Sequence, residues 1–141
     1  MFSKEESKRL RQEFWISFGK SFPRKWILYN TKIKDVSFKF HFDTKQAKVS
    51  LDIECVRDQD RVHYFEKLIS LKSILLTSVP ELVIESNYQL ANGKEISSLY
   101  TSLEGVSIHN KNTWQETMYF LKDNMSLFEE FWETYEDYIK S

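Results

Sequence analysis

Two arms of strict apolar–polar alternation between Asp35 and Cys55 constrain this chain more than any other feature. Val36, Phe38, Phe40 and Phe42 alternate with Ser37, Lys39 and His41; Ala47, Val49, Leu51, Ile53 and Cys55 then alternate with Lys48, Ser50, Asp52 and Glu54. A period of two sends successive side chains to opposite faces of a strand, so the run predicts a β-hairpin with one buried and one polar face. Closing it about Thr44-Lys45 pairs Phe42 with Ala47, Phe40 with Val49, Phe38 with Leu51 and Val36 with Ile53. The same register sets Asp35 opposite Glu54, with Asp52 on the diagonal. Like charges facing each other destabilise a sheet, so these carboxylates require Lys or Arg neighbours or serve some chemistry.

Around this hairpin the periodicity changes. Leu10, Phe14, Trp15, Phe18 and Phe22 recur at helical spacing from Ser3 to about Ser21, where Gly19 and Pro23 mark the end. Asp58 or Asp60 can cap a second helix that continues to about Leu76, before Pro80 blocks it. A second hairpin is expected from Leu82–Gln89 and Ser97–Ile108 about Ala91-Asn92-Gly93-Lys94, because Asn-Gly favours a tight turn with positive φ. Gly105 before Val106-Ser107-Ile108 reads as a bulged strand end. Thr113 and Glu116 read as a capping box. They open a last helix striped by Trp114, Met118, Leu121, Met125, Phe128, Trp132, Tyr135 and Ile139. The expected fold is α+β, in the order α-β-β-α-β-β-α. A mainly antiparallel four-stranded sheet would carry long N- and C-terminal helices packed together. The last helix's stripe suits this intramolecular role, with a homodimeric coiled-coil seam as its competing use.

A chain of 141 residues supports one sizeable core, so a single domain over residues 1–141 is expected. Aromatics at 16%, with only 3 Gly and 2 Pro, indicate an ordered domain rather than a linker. The polar start Met1 to Glu6 shows no apolar signal segment, no run is long enough to span a bilayer, and Cys55 has no partner for a disulfide. A cytoplasmic location follows as the expectation. Residues 1–50 hold twelve Lys and Arg against five acids, a net of +7; residues 81–141 hold four Lys against eleven acids, a net of −7. The ends can neutralise each other on folding. Alternatively, Lys8, Arg11, Lys20, Arg24, Lys25, Lys32 and Lys34 form a basic binding surface.

Motifs for covalent chemistry are sparse. His41, His63, His109 and Cys55 lie on different elements without metal-ligand spacing, the strand parity of Cys55 points inward, and no glycine-rich phosphate loop occurs. Asp35, Asp52 and Glu54, with Lys39 beside them, are the residue types that hold Mg²⁺ at a phosphodiester. Restriction-endonuclease-type nucleases place a Lys two residues after an acid on one strand. Here Val56 and Glu54 occupy those places, and Lys39 on the neighbouring strand would have to substitute. A solvated face of Lys–carboxylate pairs is the structural explanation, and the one preferred. No cofactor is expected on that reading, and Mg²⁺ only on the nuclease one.

The run Phe14-Trp15, then Trp26 with Tyr29 to Val36 and Phe38, then Ile53-Glu54, then Leu103 to Val106 with Trp114, resembles a bacterial domain of unknown function. The resemblance spans essentially the whole chain. That domain occurs alone and fused behind restriction-endonuclease-like domains, and it brings no catalytic residues with it. It implies a bacterial, cytoplasmic origin and an accessory role near nucleic-acid processing or defence. The expected function is therefore a non-catalytic binding module for nucleic acid or a protein partner, with a divergent metal-dependent nuclease as the alternative. No membrane partner is expected.

Overall fold

The first hairpin forms in the register that the alternation predicts. In the computed structural model, which describes residues 2–141, β1 (Val36–Phe42) pairs antiparallel with β2 (Gln46–Ile53) through Phe42–Ala47, Phe40–Val49, Phe38–Leu51 and Val36–Ile53. Asp43 closes the turn, its carboxylate accepting from the backbone N–H groups of Lys45 at 2.8 Å and Gln46 at 2.9 Å. Beyond the strands, Glu54 N–H donates to the Asp35 carbonyl at 2.7 Å, so those two residues do face each other.

The second hairpin, β3 (Val83–Gln89) with β4 (Glu95–Glu104), extends the sheet to the antiparallel order β1-β2-β4-β3. Its turn differs from the tight form expected. Only Gly93 takes positive φ (88°), Asn92 caps Lys94 N–H through its side chain at 2.9 Å, and the loop spans Leu90 to Lys94. The strand also ends earlier than expected. Gly105 at φ 76° turns the chain out of β4, and Ile108 N–H then bonds the Asp43 carbonyl at 2.9 Å, so Val106 and Ile108 enter the core from a loop.

The helices are α1 (Lys4–Ser21), α2 (Asp58–Ile69), α3 (Lys72–Ser78) and α4 (Trp114–Lys140). The single helix expected to reach Leu76 is thus two. Ser70 sits at the break, where its hydroxyl donates to the Lys67 carbonyl at 2.6 Å and so competes with the helical ladder. The turn leaves Leu76 exposed while Leu68 and Leu75 stay buried. Neither Asp58 nor Asp60 caps α2; both lie in its first turn, where negative charge suits the helix dipole. The capping box at Thr113 does not form either. A 3₁₀ turn (Lys111–Thr113) runs straight into α4, and the Thr113 hydroxyl bonds the Asn110 and Ser107 carbonyls. Ser3 caps α1 instead, accepting from Glu6 N–H at 3.1 Å.

Helices cover the apolar face of the sheet. Phe38 meets Phe128 and Trp132 of α4 edge-on, and Phe14 of α1 packs on Phe42 and Trp114. The striped side of α4 is therefore core: Trp114, Leu121, Met125, Phe128, Trp132 and Ile139 are buried and Met118 and Tyr135 pack against them. Most residues that a coiled-coil seam would use are thus enclosed by the chain itself, with Met118 and Tyr135 partly exposed. Among the described residues, no helix is long and apolar enough to cross a membrane.

Candidate functional site

The polar face of the sheet carries a connected set of side chains from all four strands. Strand alternation puts Lys39 and His41 of β1, Lys48, Ser50 and Asp52 of β2, and Ser98 and Tyr100 of β4 on this side. Asp52, only 3% exposed, accepts from the Ser98 hydroxyl at 2.7 Å and lies 3.6 Å from Lys39 Nζ. Lys39 Nζ is also 2.6 Å from Glu54, whose other oxygen is 3.9 Å from Lys94 Nζ. Burial alone would lower the Lys39 pKa, but the Glu54 hydrogen bond and the charges of Asp52 and Glu54 outweigh it and raise the value. His41 Nε2 lies 3.0 Å from the Ser50 hydroxyl; burial, then the charge of Lys48, lowers its pKa and favours the neutral ring. The Tyr100 hydroxyl donates to Glu85 at 2.6 Å, and with burial this pushes its pKa up to about 12.

Lys48 stands apart from this pairing. It is buried at 8% exposure, yet among the described residues no carboxylate lies within ion-pair distance of it. Its Nζ donates to the Tyr88 hydroxyl at 3.1 Å and sits 4.7 Å from the ring centres of both Tyr88 and Tyr100. A cation over two aromatic faces is attracted by both.

Tyr88 reaches Lys48 because β3 is bulged. Glu85 pairs with Ser98 and Tyr88 with Ile96, so three residue steps on β3 match two on β4. Without the extra residue, alternation would turn Tyr88 to the helix side; the bulge re-aims it to the polar face. Arg61 of α2 holds the bulge, donating to the Ser86 carbonyl at 2.7 Å and the Ser97 hydroxyl at 3.0 Å. Its only carboxylate neighbour among the described residues is Asp58, 3.8 Å away and 90% exposed. Sequence patterning could not reveal this arrangement, because Arg61, Lys48, Tyr88 and Tyr100 come from four elements.

The expected acidic trio does not gather at one point: Asp35 and Glu54 border one hollow with Lys94, while Asp52 accepts from Ser98 and lies near Lys39. Asp52 and Glu54 share Lys39, whereas Asp35 occupies a left-handed turn (φ 64°) and contributes its carbonyl to the Glu54 N–H. Among the described residues, no group of three or more His, Cys, Asp or Glu is placed to hold a metal ion. Cys55 is half-buried rather than enclosed; its thiol pKa is raised by burial and by the charges of Asp35 and Asp60.

The expected basic surface also divides. Arg24 pairs with the buried Glu129 and stacks 3.9 Å above Trp26, so it serves the fold. Lys8, Arg11, Lys20, Lys25, Lys32 and Lys34 are exposed and, among the described residues, pair with no carboxylate. Lys8, Arg11 and Trp15 are spaced by three and four residues and fall on one flank of α1, lining a broad open hollow. Trp15 also borders a cavity of about 300 Å³ with Tyr29, Lys39 and Phe40. The loop before β1 is strained, with Leu28, Lys32 and Asp35 all at positive φ. The buried Thr31 hydroxyl braces it by donating to the Val36 carbonyl at 2.7 Å, and Tyr29 projects from it 75% exposed.

The model of the family described as Domain of unknown function (DUF4268) matches residues 10–136. The chain belongs to that family. The matched span takes in the α1 flank from Leu10 onward, both hairpins and most of α4. No curated protein and no solved structure matches the chain.

Proposed function

We propose that the chain is a non-catalytic module that binds nucleic acid, as an accessory part of nucleic-acid processing or defence. The observation that carries this reading is the strip from Lys8 and Arg11 through Trp15 to Tyr29, cationic at one end and aromatic at the other. Lys8 and Arg11 supply phosphate contacts, and Tyr29 offers a face on which a base can stack. The resemblance to a bacterial domain that also follows restriction-endonuclease-like domains supports an accessory role, and a protein of such an assembly is the other occupant for this strip. Fluorescence anisotropy with labelled single-stranded DNA, RNA and duplex DNA across a salt series tests the reading. Affinity should fall steeply with salt, and Lys8→Glu with Arg11→Glu should flatten the single-strand slope by roughly 0.7 for each phosphate no longer neutralised. Binding that is absent at low salt, or indifferent to both salt and charge reversal, would sink it.

A metal-dependent nuclease is the second reading, and one observation favours it: Lys39 reaches both Asp52 and Glu54 from the neighbouring strand. Cleavage assays with Mg²⁺ or Mn²⁺ decide it. If neither ion yields cleavage and Asp52→Ala alters only stability, the face is structural.

A further inference from the structure

We infer that the hollow on the polar sheet face, roofed by the tip of the second hairpin, binds a small ligand with a carboxylate or phosphate and a hydrogen-bond donor. The hollow measures about 240 Å³; His41, Asp43, Lys48, Asp52 and Tyr88 are among its lining residues, with Ala91 at the hairpin tip. Three features argue for a site rather than a packing remnant. A buried ammonium without a counter-charge is unfavourable unless something compensates it. Among the described residues Lys48 has only one hydroxyl and two ring faces, and it borders the opening. An oxyanion there would supply the missing charge.

The second feature is construction. The bulge that turns Tyr88 onto Lys48 is held by Arg61, itself 9% exposed and with its Nε lacking a partner among the described residues. A fold that needed only a stable edge strand would gain nothing from burying a second cation to hold that bulge. Bulges that re-aim side chains are over-represented beside functional sites.

The third feature is the distribution of hydrogen-bonding capacity. One Asp52 oxygen is taken by Ser98, while the other lies 3.6 Å from Lys39 and retains room to accept from a ligand N–H or O–H. His41, whose pKa burial lowers, adds a ring that in its neutral form donates or accepts according to its tautomer. Opposite charges on Lys48 and Asp52 thus match a ligand with an anionic end and a donor end.

Isothermal titration calorimetry with two probe series tests the inference on the full chain. One series is inorganic phosphate and nucleoside 5′-monophosphates, and the other is acetate and free amino acids. Saturable binding below about 1 mM in either series is expected, and which series binds identifies the oxyanion. Lys48→Met should weaken that binding at least tenfold. Ala91→Trp, on the exposed rim and away from the core, should do the same with the fold intact. Lys8→Glu and Arg11→Glu should leave it unchanged, which separates this site from the α1 strip. Failure of both series to saturate below about 1 mM, or binding that survives Ala91→Trp in the folded variant, overturns the inference.

Discussion

The Glu129 carboxylate, 4% exposed on α4, accepts from the backbone N–H of Ile27 at 2.7 Å while its other oxygen pairs with Arg24. One acid from the negative end of the chain thereby ties down the entrance to the strained loop that carries Tyr29. Lys111, one of the few cations of the acidic half, meets Glu13 of α1 at 2.7 Å, a pair of the opposite sense. Among the described residues the two ends thus neutralise each other only at Arg24–Glu129, and the α1 flank keeps its charge.

Glu129→Ala should cost about 2–4 kcal/mol, because it strands a buried N–H and removes the partner of Arg24. Glu129→Gln retains an acceptor for Ile27 and should cost roughly half as much. Chemical denaturation of both variants checks the ratio, and equal losses would contradict the assigned role of the Ile27 bond.

Arg61→Met should release the bulge. The expected outcome is a loss of about 1–3 kcal/mol, together with faster amide exchange in β3 and altered Tyr88 ring resonances. Arg61→Lys keeps the charge, but both bonds leave a single guanidinium nitrogen, Nη1, which the shorter Lys side chain falls short of, so it should recover little. Unchanged Tyr88 resonances in Arg61→Met would show that β3 sets its own register.

His41 gives a pH signature. Its folded pKa is lowered, first by burial and then by Lys48 and Lys39, with Asp52 and Asp43 opposing. The unfolded chain therefore binds the proton more readily, so stability is fullest above about pH 6.5 and declines as pH falls below it. Thermal melts between pH 8 and pH 5 should show this slope in the parent protein and a shallower one in His41→Gln. Parallel curves would assign the slope elsewhere.

Gly93→Ala tests the hairpin tip. No atom lies within 4 Å of the added methyl, so the cost is conformational and arises from φ 88° alone. A loss of about 1 kcal/mol is expected, with Gly93→Asn losing less because Asn tolerates positive φ. An Ala variant as stable as the parent would show that the tip relaxes freely.

Much of the framework was legible from local pattern. Period-two alternation from Val36 to Ile53 determined the first hairpin, its register and its buried face, since slipping by one residue would turn Phe38 and Leu51 to water. Helical spacing likewise identified α1 and the core stripe of α4. Misreadings arose where a side chain had two hydrogen-bonding options. Thr113 bonds backbone carbonyls instead of capping α4, and Ser70 interrupts a helix that its neighbours would continue.

The acidic hairpin face shows the same division. Its composition was fixed by the alternation, including Lys39, Asp52 and Glu54 on one side. Only the tertiary structure decided that Asp35 takes a left-handed turn, that Arg24 serves Glu129 rather than a surface, and that Tyr88 is turned onto Lys48. Alternation is a property of one strand, set by backbone geometry and burial. The bulge depends on Arg61 of α2 meeting Ser86 and Ser97 across long loop closures, and no local pattern encodes such a meeting.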